Sequence, residues 1–268
     1  MSNKRAFTLV ELLVVIAIIA LLMSILMPAL ARVREQAKAV LCQSNLKQLA
    51  SCFSMYTGDN ERYFMEGWWG LPDCRSSNWW PQALKPYYSD PHVCLCPMAT
   101  KFGVDIGRGE IGATFYAWSA QGWLGEPGSV YGGYGINHWM QNNQCPTISE
   151  NINRLFWRHD TVRGSGNIPL LLTAQWIDGA PRDYHDPPEY DDQDYRSQPG
   201  SAFVRFMLNR HRGGIHSAFV DYSVRWIGLK EMYTLKWNRG FDVTNRWTLA
   251  GGSTPNQWPE WLQKFKNY

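Results

Sequence analysis

Charge is scarce in this sequence. Only 18% of its 268 residues are Asp, Glu, Lys or Arg, and the formal net charge is +3. No stretch joins a dense Lys/Arg run to stacking aromatics, so no nucleic-acid partner is expected. No glycine-rich segment has a strand before it and a helix after it, which argues against a nucleotide cradle. Cys94 and Cys96 resemble half of a metal knuckle. With no second Cys/His pair read at zinc-like spacing, zinc is not expected. No nucleophile in a recognisable context accompanies the His and Asp residues, and the chain does not read as an enzyme.

What the sequence does have begins at its amino terminus. Residues 1–6 are short, polar and basic, and Phe7 opens an apolar stretch to Leu30 broken only by Thr8, Glu11, Ser24 and Pro28. As a helix this stretch is about 36 Å long, enough to cross a hydrocarbon core of roughly 30 Å. Lys4 and Arg5 precede it, which predicts a single inner-membrane span with the amino terminus inside and the remainder exported. An ordinary secretory signal cleaved after Ala31 competes with this reading. The length of the span, Glu11 and Pro28 count against it. A carboxylate at mid-bilayer costs about 2.5–3.5 kcal/mol on insertion scales and marks function by default. Glu11 also lies near the helix start, where the helix dipole favours an anion.

The run Arg5-Ala6-Phe7-Thr8-Leu9-Val10-Glu11-Leu12-Leu13 resembles the cleavage and methylation site of type IV pilins and type II secretion pseudopilins. With Phe7 counted as the first mature residue, Glu11 and Pro28 fall where that family carries Glu and Pro. The resemblance implies a leader, residues 1–6, that a prepilin peptidase removes between Ala6 and Phe7 before methylating the new amine. It implies that Glu11 neutralises the amine of a neighbouring subunit as a filament grows. The physics agrees, because a buried amine and a buried carboxylate are each costly and pairing offsets both. Where the family usually has Gly before the cut, this chain has Ala6. The implied partners are membrane lipid before assembly, other copies of the chain, the peptidase, and an inner-membrane assembly platform with its ATPase.

Pro28 removes one backbone donor and is expected to kink the helix rather than end it. Beyond it, Cys42, Leu46, Leu49, Phe53 and Tyr56 mark one face of an amphipathic helix that Gly58-Asp59-Asn60 stops. The predicted organisation is a helix over 7–57, membrane-spanning over 7–30 and amphipathic over 31–57, then a head over 58–268. The fold class is α+β, with the long helix packed on a mainly antiparallel β head. Leu170–Ile177, Ser201–Leu208 and Ser217–Trp226 read as strands of that head, the last with a turn at Asp221-Tyr222-Ser223. Six cysteines, Cys42, Cys52, Cys74, Cys94, Cys96 and Cys145, are an even count in an exported chain and favour disulfides, with no pairing chosen.

Cys42 to Leu49, with Tyr56 and Asp59-Asn60, is similar to a large-headed group of pilin-like proteins. Cys96-Pro97 matches a Cys-Pro pair common in that group, which suggests that Cys42 or Cys52 is stapled to Cys94 or Cys96. His211 followed nine residues later by Asp221 resembles the group's carboxy-terminal His-nine-Asp-Gly element, with Tyr222 in place of Gly. His211 and Asp221 are therefore candidates for a structural hydrogen-bonded pair across a hairpin. Secretion-type major pseudopilins use a calcium-stapled loop, and Asp191, Asp192 and Asp194 in the acidic 183–196 segment could supply its oxygens. A solvated surface loop competes with that reading, and no cofactor is required. The chain's 14 tryptophans suit a core or subunit interface, and exposed ones would suit a glycan-binding surface. A periplasmic pseudopilus and a surface filament both fit the resemblance.

Overall fold

The computed structural model describes residues 9–67, 79–103, 107, 110–121 and 129–268. The chain divides into two compact units, Met1–Val40 and Leu41–Tyr268, and the division falls inside the first helix. Helix α1 (Leu9–Asp59) passes through Pro28 without ending and stops at Asp59, next to the Gly58-Asp59-Asn60 signal. In the first unit every described residue from Leu9 to Lys38 is exposed, including Ile16, Leu22, Ile25 and Leu26.

The second unit holds the head and the last part of α1. In chain order its further elements are α2 (Trp80–Leu84), β1 (Lys101–Phe102), β2 (Tyr116–Gln121), β3 (Ser129–Gly132), β4 (Tyr134–Asn137), α3 (Glu150–Asn153), β5 (Pro169–Thr173), β6 (Asp178–Gly179), β7 (Gly214–Phe219), β8 (Val224–Gly228) and α4 (Glu260–Gln263). A five-stranded sheet has the order β6-β4-β5-β7-β8, antiparallel except for β4 and β6. A second sheet has the order β1-β2-β3, with β1 parallel to β2. The α+β layout with a mainly antiparallel head is therefore the one expected.

Central strand β5 is buried along its whole length, so its Pro-Leu-Leu-Leu-Thr run does not alternate. Its two faces feed different cores. Leu170 and Leu171 pack with Cys42, Leu46, Leu49 and Phe53 of α1 and with Trp80 and Trp118. Leu172 packs on the other side with Phe203, Phe206, Trp237, Trp247 and Trp258. The predicted apolar face of α1 is the buried one: Cys42, Leu46, Leu49 and Phe53 are inaccessible, and Tyr56 is partly covered.

One expectation for the head is corrected. Residues 201–208 form no strand; Ala202–Arg205 is a single 3-10 turn. Its Phe203, Val204, Phe206, Met207 and Leu208 are all buried, and an all-buried run has no period from which to tell strand from helix. The segment Ser217–Trp226 is a hairpin, β7 and β8, joined through Val220–Ser223.

Candidate functional site

The amino-terminal segment is the first candidate site. Ala6 and Phe7 lie outside the described residues. Glu11 sits in the first turn of α1 as described, where the partial positive charge of the helix start favours a carboxylate. Pro28 lies within the helix. The helix is long and apolar enough to cross a membrane, and its apolar span is exposed among the described residues. In water that surface is unfavourable, because each fully exposed Leu or Ile forgoes about 1.5–3 kcal/mol of burial. It needs lipid or neighbouring helices.

A second constellation lies within the head unit. Cys42 Sγ and Cys96 Sγ are 3.5 Å apart, and Cys96 Sγ is 3.6 Å from His211 Nε2. Cys42, His211 and His216 bring one ligating atom each within 4.8 Å of one another. The His211 and His216 rings are 4.2 Å apart between centroids. All four side chains are buried. Cys42 comes from α1, Cys96 from the connection after the 3-10 turn Pro91–Cys94, His211 from the turn before β7, and His216 from β7 itself.

The surroundings set the protonation of this group. Arg210 is buried, and its guanidinium donates only to the carbonyls of Thr114, Gly133, Ala113 and Ala174. Burial pushes the Cys96 thiol up, but hydrogen bonds from Cys42 and His211 and the charge of Arg210 outweigh it, holding Cys96 well below its usual value. Burial, then the hydrogen bond and charge of Cys96, push Cys42 well above its usual value. His216 falls to about 4 through burial first and the charge of His211 second, so it is neutral at pH 7. The Tyr134 hydroxyl reaches Cys42 Sγ at 3.4 Å.

The proposed staple between helix and head is not formed. Cys42, Cys52, Cys94 and Cys96 are free thiols. The 3.5 Å between Cys42 and Cys96 is far beyond a bond of about 2.05 Å. Cys145 is disulfide-bonded, and Cys74 lies outside the described residues.

His211 and Asp221 do not pair either. Asp221 accepts from the backbone N–H and hydroxyl of Ser223, closing the β7–β8 turn, while His211 faces Cys96. The residue paired across the turn is Tyr222, whose hydroxyl bonds Thr57 of α1 and the buried Asp160. The acidic loop is tied down by protein donors. Asp191 accepts from the Thr114 hydroxyl and the Asn209 N–H, Asp192 from the Thr114 N–H, and Asp194 from Arg196.

The signal that was missed is His211-x4-His216. This is a second pair at zinc-like spacing, and the sequence reading passed it over. Nothing in the sequence shows that it meets cysteines more than a hundred residues away.

Comparison with known proteins points to the amino terminus. Residues 1–27 match the family described as the prokaryotic N-terminal methylation motif. Over 63 residues, 24% of the chain, it is 41% identical to the type IV wide pilus major component PilA4 of Thermus thermophilus, covering 48% of that protein. Over 63 residues it is also 40% identical to the type II secretion system core protein G of Klebsiella pneumoniae, covering 45% of it. The chain thus spans about half the length of the curated relatives it matches. No solved structure matches it.

Proposed function

We propose that this chain, pilin-like by its amino-terminal motif, is a structural subunit of a type IV pilus-like or type II secretion pseudopilus filament. A prepilin peptidase cuts it between Ala6 and Phe7 and methylates Phe7. Before assembly α1 sits in the inner membrane with its amino terminus inside and the head outside. A platform protein and its ATPase then extract it, and neighbouring helices replace lipid around residues 7–30.

The observation that carries this reading is the apolar first part of α1, exposed from Leu9 to Leu30, most of it inside the matched methylation motif of residues 1–27. Glu11 fits the role of neutralising a neighbour's amine, because one carboxylate in an apolar helix is tolerable only with a partner. The test is Glu11→Val in the native host. The expected result is a membrane fraction at wild-type level and loss of the chain from sheared or purified filaments. Filaments of wild-type abundance and composition would refute the role of Glu11 in assembly.

The glycan-binding alternative finds no support in the described tryptophans. Trp80, Trp118, Trp139, Trp237 and Trp258 are core residues, and only Trp226 is largely exposed among the described ones.

A further inference from the structure

We propose that Cys42, Cys96, His211 and His216 bind one zinc ion in a buried tetrahedral site that fastens α1 to the β7–β8 hairpin. The proposal goes beyond the filament reading and does not depend on it.

The first argument is geometry. With Zn–S of about 2.3 Å and Zn–N of about 2.0–2.1 Å, a tetrahedral centre holds its sulfurs about 3.8 Å apart and each sulfur about 3.5 Å from a nitrogen. Cys42 and Cys96 are 3.5 Å apart, and Cys96 is 3.6 Å from His211 Nε2. Cys42, His211 and His216 bring their ligating atoms within 4.8 Å of one another. Cys96 lies outside that triangle, in contact with Cys42 and His211, and would close toward His216 as the ion binds.

The second argument is an unmet need. His216 is 2% exposed, and its Nδ1 is buried without a hydrogen-bond partner. A buried ring nitrogen left without a partner is unfavourable, and a metal bond would satisfy it. His211 and His216 thus meet two thiols, and among the described residues no carboxylate belongs to the group.

The third argument is the donor set. Two thiolates and two neutral imidazoles select zinc over calcium or magnesium, and S2N2 donors suit a tetrahedral ion. Together they cancel the 2+ charge, and the thiol protons pass to solvent on binding. Outer partners are in place: the Tyr134 hydroxyl donates toward Cys42 Sγ, and Arg210 holds a positive charge beside the thiolates. Closed to solvent and with four protein ligands, the site is structural rather than catalytic.

The test uses the full chain purified in detergent without chelators. Elemental analysis should find about one zinc per chain, dropping to under about a tenth in Cys96→Ser and in His216→Gln. Because a variant could fail to fold, the wild type is also reconstituted with Co2+, which should give a sulfur-to-cobalt charge-transfer band and strong tetrahedral visible bands. Zinc retained in a folded Cys42→Ser/Cys96→Ser double variant would overturn the proposal. So would a Co2+ spectrum without the sulfur band, or peptide mapping that finds Cys42 and Cys96 joined as a disulfide in the freshly isolated protein.

Discussion

Tyr222 lies in the turn between β7 and β8, and its φ of 62° falls in the left-handed region. A non-glycine residue there costs about 1–2 kcal/mol. The side chain offsets this by reaching back to α1. Its hydroxyl is 2.8 Å from Thr57 Oγ1 and donates to Asp160, which also pairs with Arg62 at 2.9 Å. Lys47 of α1 donates to the Tyr222 carbonyl as well. Tyr222→Phe keeps the strain and removes the bonds to a buried carboxylate, so chemical unfolding of the head should show a loss of about 1–3 kcal/mol. Asp178 gives a second prediction at this scale. Burial raises its pKa, but the hydrogen bond from His138 and the nearby Arg205 win, and it lies below its ordinary value of 3.8. The folded state therefore favours the ionised form. Its contribution is complete above the unfolded value and is lost as the pH falls through the folded one. Asp178→Asn should lower stability at pH 7 and flatten the loss of stability below about pH 4.

At the scale of elements, α1 is one helix with two environments. Leu46 is inaccessible in the head core, while Leu22 is 63% exposed. Leu46→Ala should cost the head about 2–5 kcal/mol in denaturant unfolding, and Leu22→Ala should leave that value unchanged. The helix face was legible because Cys42, Leu46, Leu49 and Phe53 alternate in threes and fours against polar neighbours. The β7–β8 hairpin was legible from its turn residues. The segment 201–208 was not, since burial on all sides erases the period that separates a strand from a 3-10 turn. The Cys/His cluster was illegible for another reason. Only the two histidines have metal-like spacing; Cys42 and Cys96 are 54 residues apart and meet them because β7 lies beside β5 and the Cys96 connection crosses Gly133. A Cβ on Gly133 would stand 2.6 Å from Cys96 N. Gly133→Ala should therefore displace Cys96 and reduce bound zinc, measured against the wild type in the same preparation.

For the whole molecule, the two units carry different signals. The first unit contains the whole matched methylation motif and exposes the described part of its apolar helix. The head unit holds the sheet, two cores and the thiol–imidazole cluster, and most of it lies outside the 63 residues over which the relatives align. The proposed filament role rests on the first unit and should survive changes in the head that leave it folded. Processing is its most direct consequence, and Ala6 in place of the usual Gly makes it a demanding test. Mass spectrometry of the mature amino terminus, on protein isolated from the native host, separates the possibilities. A chain beginning at an N-methylated Phe7 is the expected result; one beginning at Arg32, or an intact Met1, would contradict the filament reading.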